Sequence, residues 1–406
     1  MFKISYSLNL KGEVIISSKN AALPIVAANY MLDHQIPLTN KPDISDVHAM
    51  EQLAEQAFQN STNFFDLTSE LATKFRASIL LIPVGLKKFG EVRFVGSGGC
   101  KIGKRPLDTF DDALQKAGVE ITYGEHKIFK VVGKPKKNIM LQEFSVTATE
   151  ALISYLAFLE GVDYDITVYQ VATEPHVKNL IAFLNHAGAK ITMGLDHTIT
   201  ISPSTMKVQN SEFEIISDYI EAGTYFAIGA GADNSELVIK NVNVDDLSAM
   251  YNVADKIGIN FKILDKHTIK VDSYNKANYK ATKLEVRIFP GFPSDLQSIF
   301  ALASQFNGIT KIFETLYEGR FYLNELENLG AKIEILNPHQ AIVIGKTDLH
   351  GGYVSSTDLR GGGAMVLAGI MAQGETHILN EEIIARGYAD ILNKLKKIGV
   401  HIEQIS

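Results

Sequence analysis

Apolar positions along the chain repeat one pattern five times. A stretch with apolar residues three and four apart ends in a glycine, and a stretch with apolar residues at alternate positions follows. It runs through Leu114, Ala117 and Gly118 into Val119 and Ile121, then through Leu184, Ala187 and Gly188 into Ala189 and Ile191. It returns around Ile257, Gly258 and Ile259, around Leu329, Gly330 and Ala331, and around Ile398, Gly399 and Val400. A period near 3.6 that switches to 2 predicts a helix feeding a strand, with the glycine as the helix C-cap that admits positive φ. The five glycines are 70, 70, 72 and 69 residues apart. A degenerate first copy ends near Asn60, after a helical pattern over 47–59. The reading is six βα units, three per half. The unit is too long for a solenoid, so two similar domains are expected, not a linear array.

Each unit also carries a small-residue helix apolar on every side, beginning near Lys74, Thr147, Glu221, Ser294 and Arg360. Such helices belong in a core. Their first turns hold Ser, Thr, Asp or Arg beside small residues, and free N–H groups at a helix start favour anions. Residues 1–6 alternate like a strand rather than a signal peptide. The apolar runs 21–32 and 363–372 are too short to span a membrane, and Pro24 and Asn29 interrupt the first. Polar residues over 135–138 and 272–279 read as exposed turns, and short hinges are expected near 17–20 and Ser217.

Composition narrows the class. A chain of 406 residues, 46% apolar and 21% charged, is an ordinary soluble composition and long for one core. A single cysteine excludes an internal disulfide framework and suits a reducing cytoplasm. The net charge of −7 argues against a general nucleic-acid binder. Of 39 basic residues only seven are arginine, and Arg76, Arg105, Arg320, Arg360 and Arg386 sit in short segments containing Gly, Ser or Asp. Arginine used so sparingly points to bidentate recognition of phosphate or carboxylate.

The cysteine lies in residues 98–106, among glycines and beside Lys101, Lys104 and Arg105. Neighbouring cations favour the thiolate and make Cys100 reactive. Gly98, Gly103 and Lys104 echo a phosphate-binding P-loop, but Arg105 stands where that motif needs Ser or Thr, and Pro106 follows. An ATPase reading is rejected.

These segments, with Gly12, Lys19, Asn20 and Pro24, Asp46 and Met50, Phe292 to Gln297, Glu318 to Phe321, Thr357 to Arg360 and Arg386 to Tyr388, occur in an order that resembles bacterial UDP-N-acetylglucosamine enolpyruvyl transferases of peptidoglycan synthesis. The resemblance runs along nearly the whole chain. It implies an α/β (α+β) fold: a two-domain inside-out α/β barrel of six βαβαββ repeats, three per domain. One domain would span 19–216 and carry the Cys100 loop; the other would combine 1–18 with 217–406, with substrates in the cleft between them. It implies transfer of enolpyruvyl from phosphoenolpyruvate to the 3′-hydroxyl of UDP-N-acetylglucosamine with release of phosphate, in the cytoplasm, without cofactor, metal, nucleic acid, membrane or obligate protein partner.

By the same resemblance Cys100 donates the proton to phosphoenolpyruvate, forms a covalent adduct and is the target of fosfomycin-like epoxides, while Asp295 is the base. Lys19, Arg105 and Arg386 match phosphate-side cations, and Arg320 and Arg360 the cations around the rest of phosphoenolpyruvate. Arg76 and Arg105, Pro106, Leu107, Asp108 and Thr109 match nucleotide-sugar contacts, as do Ser145, Val146, Thr147 and Leu316, with Asn20 and Asp358 near the reacting centre. The Cys100 loop is expected to close as a lid. Phe110, Glu143, Thr173, Tyr219 and Ala385 depart from the family's usual residues at positions expected to face the nucleotide, which implies weaker UDP affinity or an unusual nucleotide sugar. Two alternatives are a non-catalytic nucleotide-sugar-binding paralogue and a transferase acting on shikimate 3-phosphate; the latter family would show Gly-Ser-Lys-Ser near the start and no cysteine loop.

Overall fold

The computed structural model describes residues 1–96, 98, 107–207, 211–317 and 323–405. They divide into two compact units, one built from Met1–Ser17 and the chain from Ser217 onward, the other from the residues between.

In the unit that starts at Ser18, three segments form the centre: helix α1 (Lys19–Asn29), a 3-10 turn (Arg76–Leu81) running into α2 (Ile82–Phe89), and α3 (Val146–Leu156). Helix α1 is buried without interruption from Ala21 to Asn29, and α3 from Ala148 to Leu156. Segments with no polar face bury themselves against one another, and these three do. Amphipathic helices Ser45–Asn60, Asp108–Lys116 and Pro175–His186 lie outside them. One sheet has the strand order Phe65–Leu67, Glu91–Phe94, Lys127–Val131, Val119–Thr122; its first pair is parallel and the rest antiparallel. Asn138–Met140, Ile166–Tyr169, Thr198–Ser202 and Lys190–Met193 repeat that order and those directions. Leu38–Thr39 and Phe213–Glu214 form a parallel two-stranded sheet.

The other unit centres on α4 (Tyr219–Gly231), α5 (Gln297–Leu302) and α6 (Leu359–Met371), each buried along its whole length and packed on the other two. Its three four-stranded sheets share the same order. Two of them are completed from the far end of the chain. Lys11–Ile15 pairs parallel with Glu236–Lys240, and Phe2–Ser5 lies antiparallel between Glu375–Leu379 and Ile402–Gln404. The alternation of the first residues is what permits this: Phe2 and Ile4 are buried, while Lys3 pairs with Glu375 and Glu403 at 3.3 and 3.7 Å.

All five junction glycines have positive φ, from 88° at Gly118 to 103° at Gly188. One expectation is corrected. Within 272–279, Ser273, Lys276 and Tyr279 are buried. Lys276 donates to the carbonyl of Gly231 at the end of α4 and pairs with Asp233 at 2.8 Å, and Tyr279 Oη donates to the Ala230 carbonyl at 3.2 Å. Carbonyls left over at a helix end need donors, and this polar segment supplies them from inside the core. Pro135 of the other expected turn is also buried, and Asn138 opens a strand.

Candidate active site

The central helices place most of the candidate residues at their first turns. Lys19 and Asn20 open α1, where Ser18 makes no side-chain cap and instead donates its hydroxyl to the Asn40 carbonyl at 2.7 Å. Lys19 Nζ lies 3.8 Å from Asp46 Oδ2 in the first turn of the outer helix Ser45–Asn60, and both are largely shielded from water. This carboxylate orients the ammonium. Arg76 is the first residue of its 3-10 turn. Ser145 caps α3, accepting from Ala148 N at 3.3 Å, and Val146 and Thr147 follow, half-buried. Leu107, Asp108 and Thr109 begin the helix Asp108–Lys116; Thr109 is buried and Asp108 exposed.

Cys100, Arg105, Pro106 and Arg320 lie outside the described residues, as do the neighbouring Lys101 and Lys104. Gly98, at the entrance to the cysteine segment, is described. A Cβ there would stand 1.6 Å from the Thr73 carbonyl oxygen. The close approach this glycine permits is therefore to another stretch of backbone, the one that leads into Arg76.

The second unit gathers a buried polar cluster. Asp218 caps α4 by accepting from Ile220 N at 2.9 Å, and its other oxygen accepts from Arg360 at 3.0 Å. Arg360, in the first turn of α6, is 4% exposed and lies 5.5 Å from the centre of the Tyr388 ring. Burial alone would lower its pKa, but Asp218, Tyr388 and Asp295 outweigh burial and raise it well above the usual guanidinium value. Tyr388 is buried within 3.1 Å of the Thr224 hydroxyl; burial raises its pKa against the opposing pull of Arg360. Asp358 caps α6 at Gly361 N. Asp295 is half-buried and directly precedes Leu296, the cap position of α5. Arg386 is half-buried after the short helix Glu382–Ala385, and Leu316 stands partly exposed beyond the strand Gly308–Phe313.

The departures from the family pattern divide into core and surface. Phe110 is 3% exposed with its ring edge-on to Phe129, so it packs in the core. Tyr219 is likewise buried, edge-on to Phe289. Glu143 and Ala385 are exposed, and Thr173 is intermediate. Sequence reasoning passed over Asp218 and Glu314. A carboxylate immediately before a helix with no polar face was the available signal for Asp218. Among the described residues no three His, Cys, Asp or Glu are grouped to hold a metal ion, and no helix is long and apolar enough to cross a membrane.

The family model for EPSP synthase (3-phosphoshikimate 1-carboxyvinyltransferase) matches residues 4–395. The chain belongs to the EPSP synthase family. Within that family it is 35% identical to the UDP-N-acetylglucosamine 1-carboxyvinyltransferase of a Wolbachia from Brugia malayi, across 99% of both chains. It is equally identical to the protein of that name from Pseudothermotoga lettingae, across 97% of both. Two solved structures share the mixed α/β fold. The enolpyruvyl transferase NikO from Streptomyces tendae superposes with a TM-score of 0.87 at 20% identity, covering 99% of this chain and 98% of that one. An EPSP synthase from Acinetobacter baumannii gives 0.74 at 15% identity, with both chains fully covered.

Proposed function

We infer that this protein is a UDP-N-acetylglucosamine 1-carboxyvinyltransferase: it transfers enolpyruvyl from phosphoenolpyruvate to the sugar 3′-hydroxyl and releases phosphate, a step of peptidoglycan synthesis. The observation that carries the inference is 35% identity over 99% of both chains to a relative of that name. The fold is read as six βαβαββ units in two inside-out α/β domains, 19–216 and 1–18 with 217–406. The common strand order of the five four-stranded sheets supports it.

In this reading Asp295 removes the proton from the acceptor hydroxyl, and Cys100 protonates the methylene carbon of phosphoenolpyruvate. Asp295 is half-buried directly before α5, and its charge acts on the buried Arg360, which sets a carboxylate beside a fixed cation. Lys19, Arg105, Arg320, Arg360 and Arg386 stabilise the carboxylate and the departing phosphate. Such groups act best when fixed before reaction, and Arg360 is fixed by Asp218 on one side and Tyr388 on the other. Arg76, residues 107–109, 145–147 and Leu316 hold the nucleotide sugar, with Asn20 and Asp358 near the reacting centre.

The test is phosphate release from phosphoenolpyruvate with UDP-N-acetylglucosamine as acceptor and shikimate 3-phosphate as control. Release with the sugar nucleotide alone is expected. Tight nucleotide binding without release would replace the enzyme with a binding paralogue, and release only with shikimate 3-phosphate would reassign the acceptor.

A further inference from the structure

Glu314 follows the strand Gly308–Phe313 and has no exposed surface. A carboxylate withdrawn from water must be met by donors, and three converge on it. One oxygen accepts from the Ser294 hydroxyl; the other accepts from the backbone N–H of Leu316 at 3.0 Å and of Tyr317 at 3.2 Å. The main chain of the same residue is held independently. Glu314 N donates to the His339 carbonyl at 2.9 Å, and His339 Nδ1 donates to the Glu314 carbonyl at 2.7 Å. His339 N is in turn held by Asn337 Oδ1 at 2.8 Å.

The side chain of Glu314 is therefore a strut between two segments, with its own backbone anchored to a hairpin turn. One segment carries Ser294, directly before Asp295. The other is the turn of Leu316 and Tyr317. We propose that Glu314 is a positioning residue for enolpyruvyl transfer, fixing the turn that bears the base in register with the turn that meets the acceptor sugar. The assignment rests on the roles given above to Asp295 and Leu316. It requires no proton transfer at Glu314, which acts only through its three donors.

The experiment compares Glu314→Ala, Glu314→Gln and Ser294→Ala in the full chain, measuring kcat, both KM values and thermal unfolding. Alanine leaves both turns untethered. A displacement of about 1 Å at a reacting group costs on the order of 100-fold in rate, so kcat is expected to fall about that much while KM for phosphoenolpyruvate changes less than about threefold. Glutamine keeps one acceptor oxygen for the two N–H groups and offers its NH2 to the Ser294 oxygen, so it is expected to recover most of kcat. Ser294→Ala cuts one tether and is expected to lower kcat about tenfold with KM for phosphoenolpyruvate unchanged.

Glu314→Ala that melts earlier yet turns over normally below its melting point overturns the assignment. If that variant does not fold, Glu314→Gln and Ser294→Ala both matching the wild type in kcat and both KM values overturn it equally. Wild-type protein that releases no phosphate with UDP-N-acetylglucosamine overturns the functional reading and this assignment together, a result distinguishable because it precedes any substitution.

Discussion

Replacing Asp218 by Asn tests whether the buried pair beneath the first turn of α6 is held by charge. Asparagine caps a helix about as well as aspartate, so the bond to Ile220 N survives and the change falls on Arg360. The two side chains are 0% and 4% exposed. Leaving one member of a buried pair uncompensated costs about 3–5 kcal/mol, against about 0–1 kcal/mol for an exposed pair. Tyr388 and Asp295 remain near Arg360, which places the expected loss toward the lower end, about 3 kcal/mol. For a unit of this size that lowers the melting temperature by about 6–12 °C. Arg360→Met in the same background removes the stranded charge, so the double variant is expected to recover at least about 2 kcal/mol of the sum of the single losses. Differential scanning calorimetry on the four proteins closes the cycle. A loss below about 1 kcal/mol for Asp218→Asn, or additive single losses, would refute the argument from burial.

Three further outcomes are expected. Glu150, inside α3, has its pKa raised well above the usual carboxylate value by burial and then by Glu174. Its folded form therefore keeps a proton that the unfolded chain releases, and the associated stability is complete below the unfolded pKa and lost as pH rises through the folded one. Glu150→Gln should melt later than the wild type by a margin that grows as the pH rises above the ordinary carboxylate range; a constant margin contradicts this. A Cβ at Gly363 would stand 2.7 Å from the buried Tyr388 hydroxyl, so Gly363→Ala should cost about 1–3 kcal/mol through overpacking. Adding Tyr388→Phe should restore part of that loss, and no restoration in chemical denaturation would place the strain elsewhere. An epoxide phosphonate resembling phosphoenolpyruvate should label Cys100 faster when UDP-N-acetylglucosamine is present; mass spectrometry showing equal rates would count against closure of that segment over the sugar.

What could be read from sequence was what depends on near neighbours. Gly118, Gly188, Gly258, Gly330 and Gly399 announced their helix ends because a C-cap is decided within a few residues. Helices α3, α4 and α6 announced their burial because their sequences lack a polar face. The partner of Arg360 could not be read, since Asp218 lies 142 positions away and only the packing of α4 on α6 joins them. The packing of Phe110 could not be read for a related reason. Position along a motif suggested a ligand-facing side chain, whereas the ring is buried edge-on to Phe129. Lys276 looked like surface charge because composition does not reveal which helix end needs a donor.

The first two strands have a consequence for how the molecule is made. Lys11–Ile15 must wait for Glu236–Lys240, and Phe2–Ser5 for Glu375–Leu379. At about 5–20 residues per second of synthesis, these delays are roughly 10–45 s and 20–75 s. Meanwhile the residues of the unit from Ser18 to Ile216 have been synthesised. Until then Phe2, Ile4 and Val14, all buried in the finished fold, have no sheet to enter. For these strands the order of completion is the reverse of the order of synthesis: Phe2–Ser5 and Lys11–Ile15 find their places only after partners made far later.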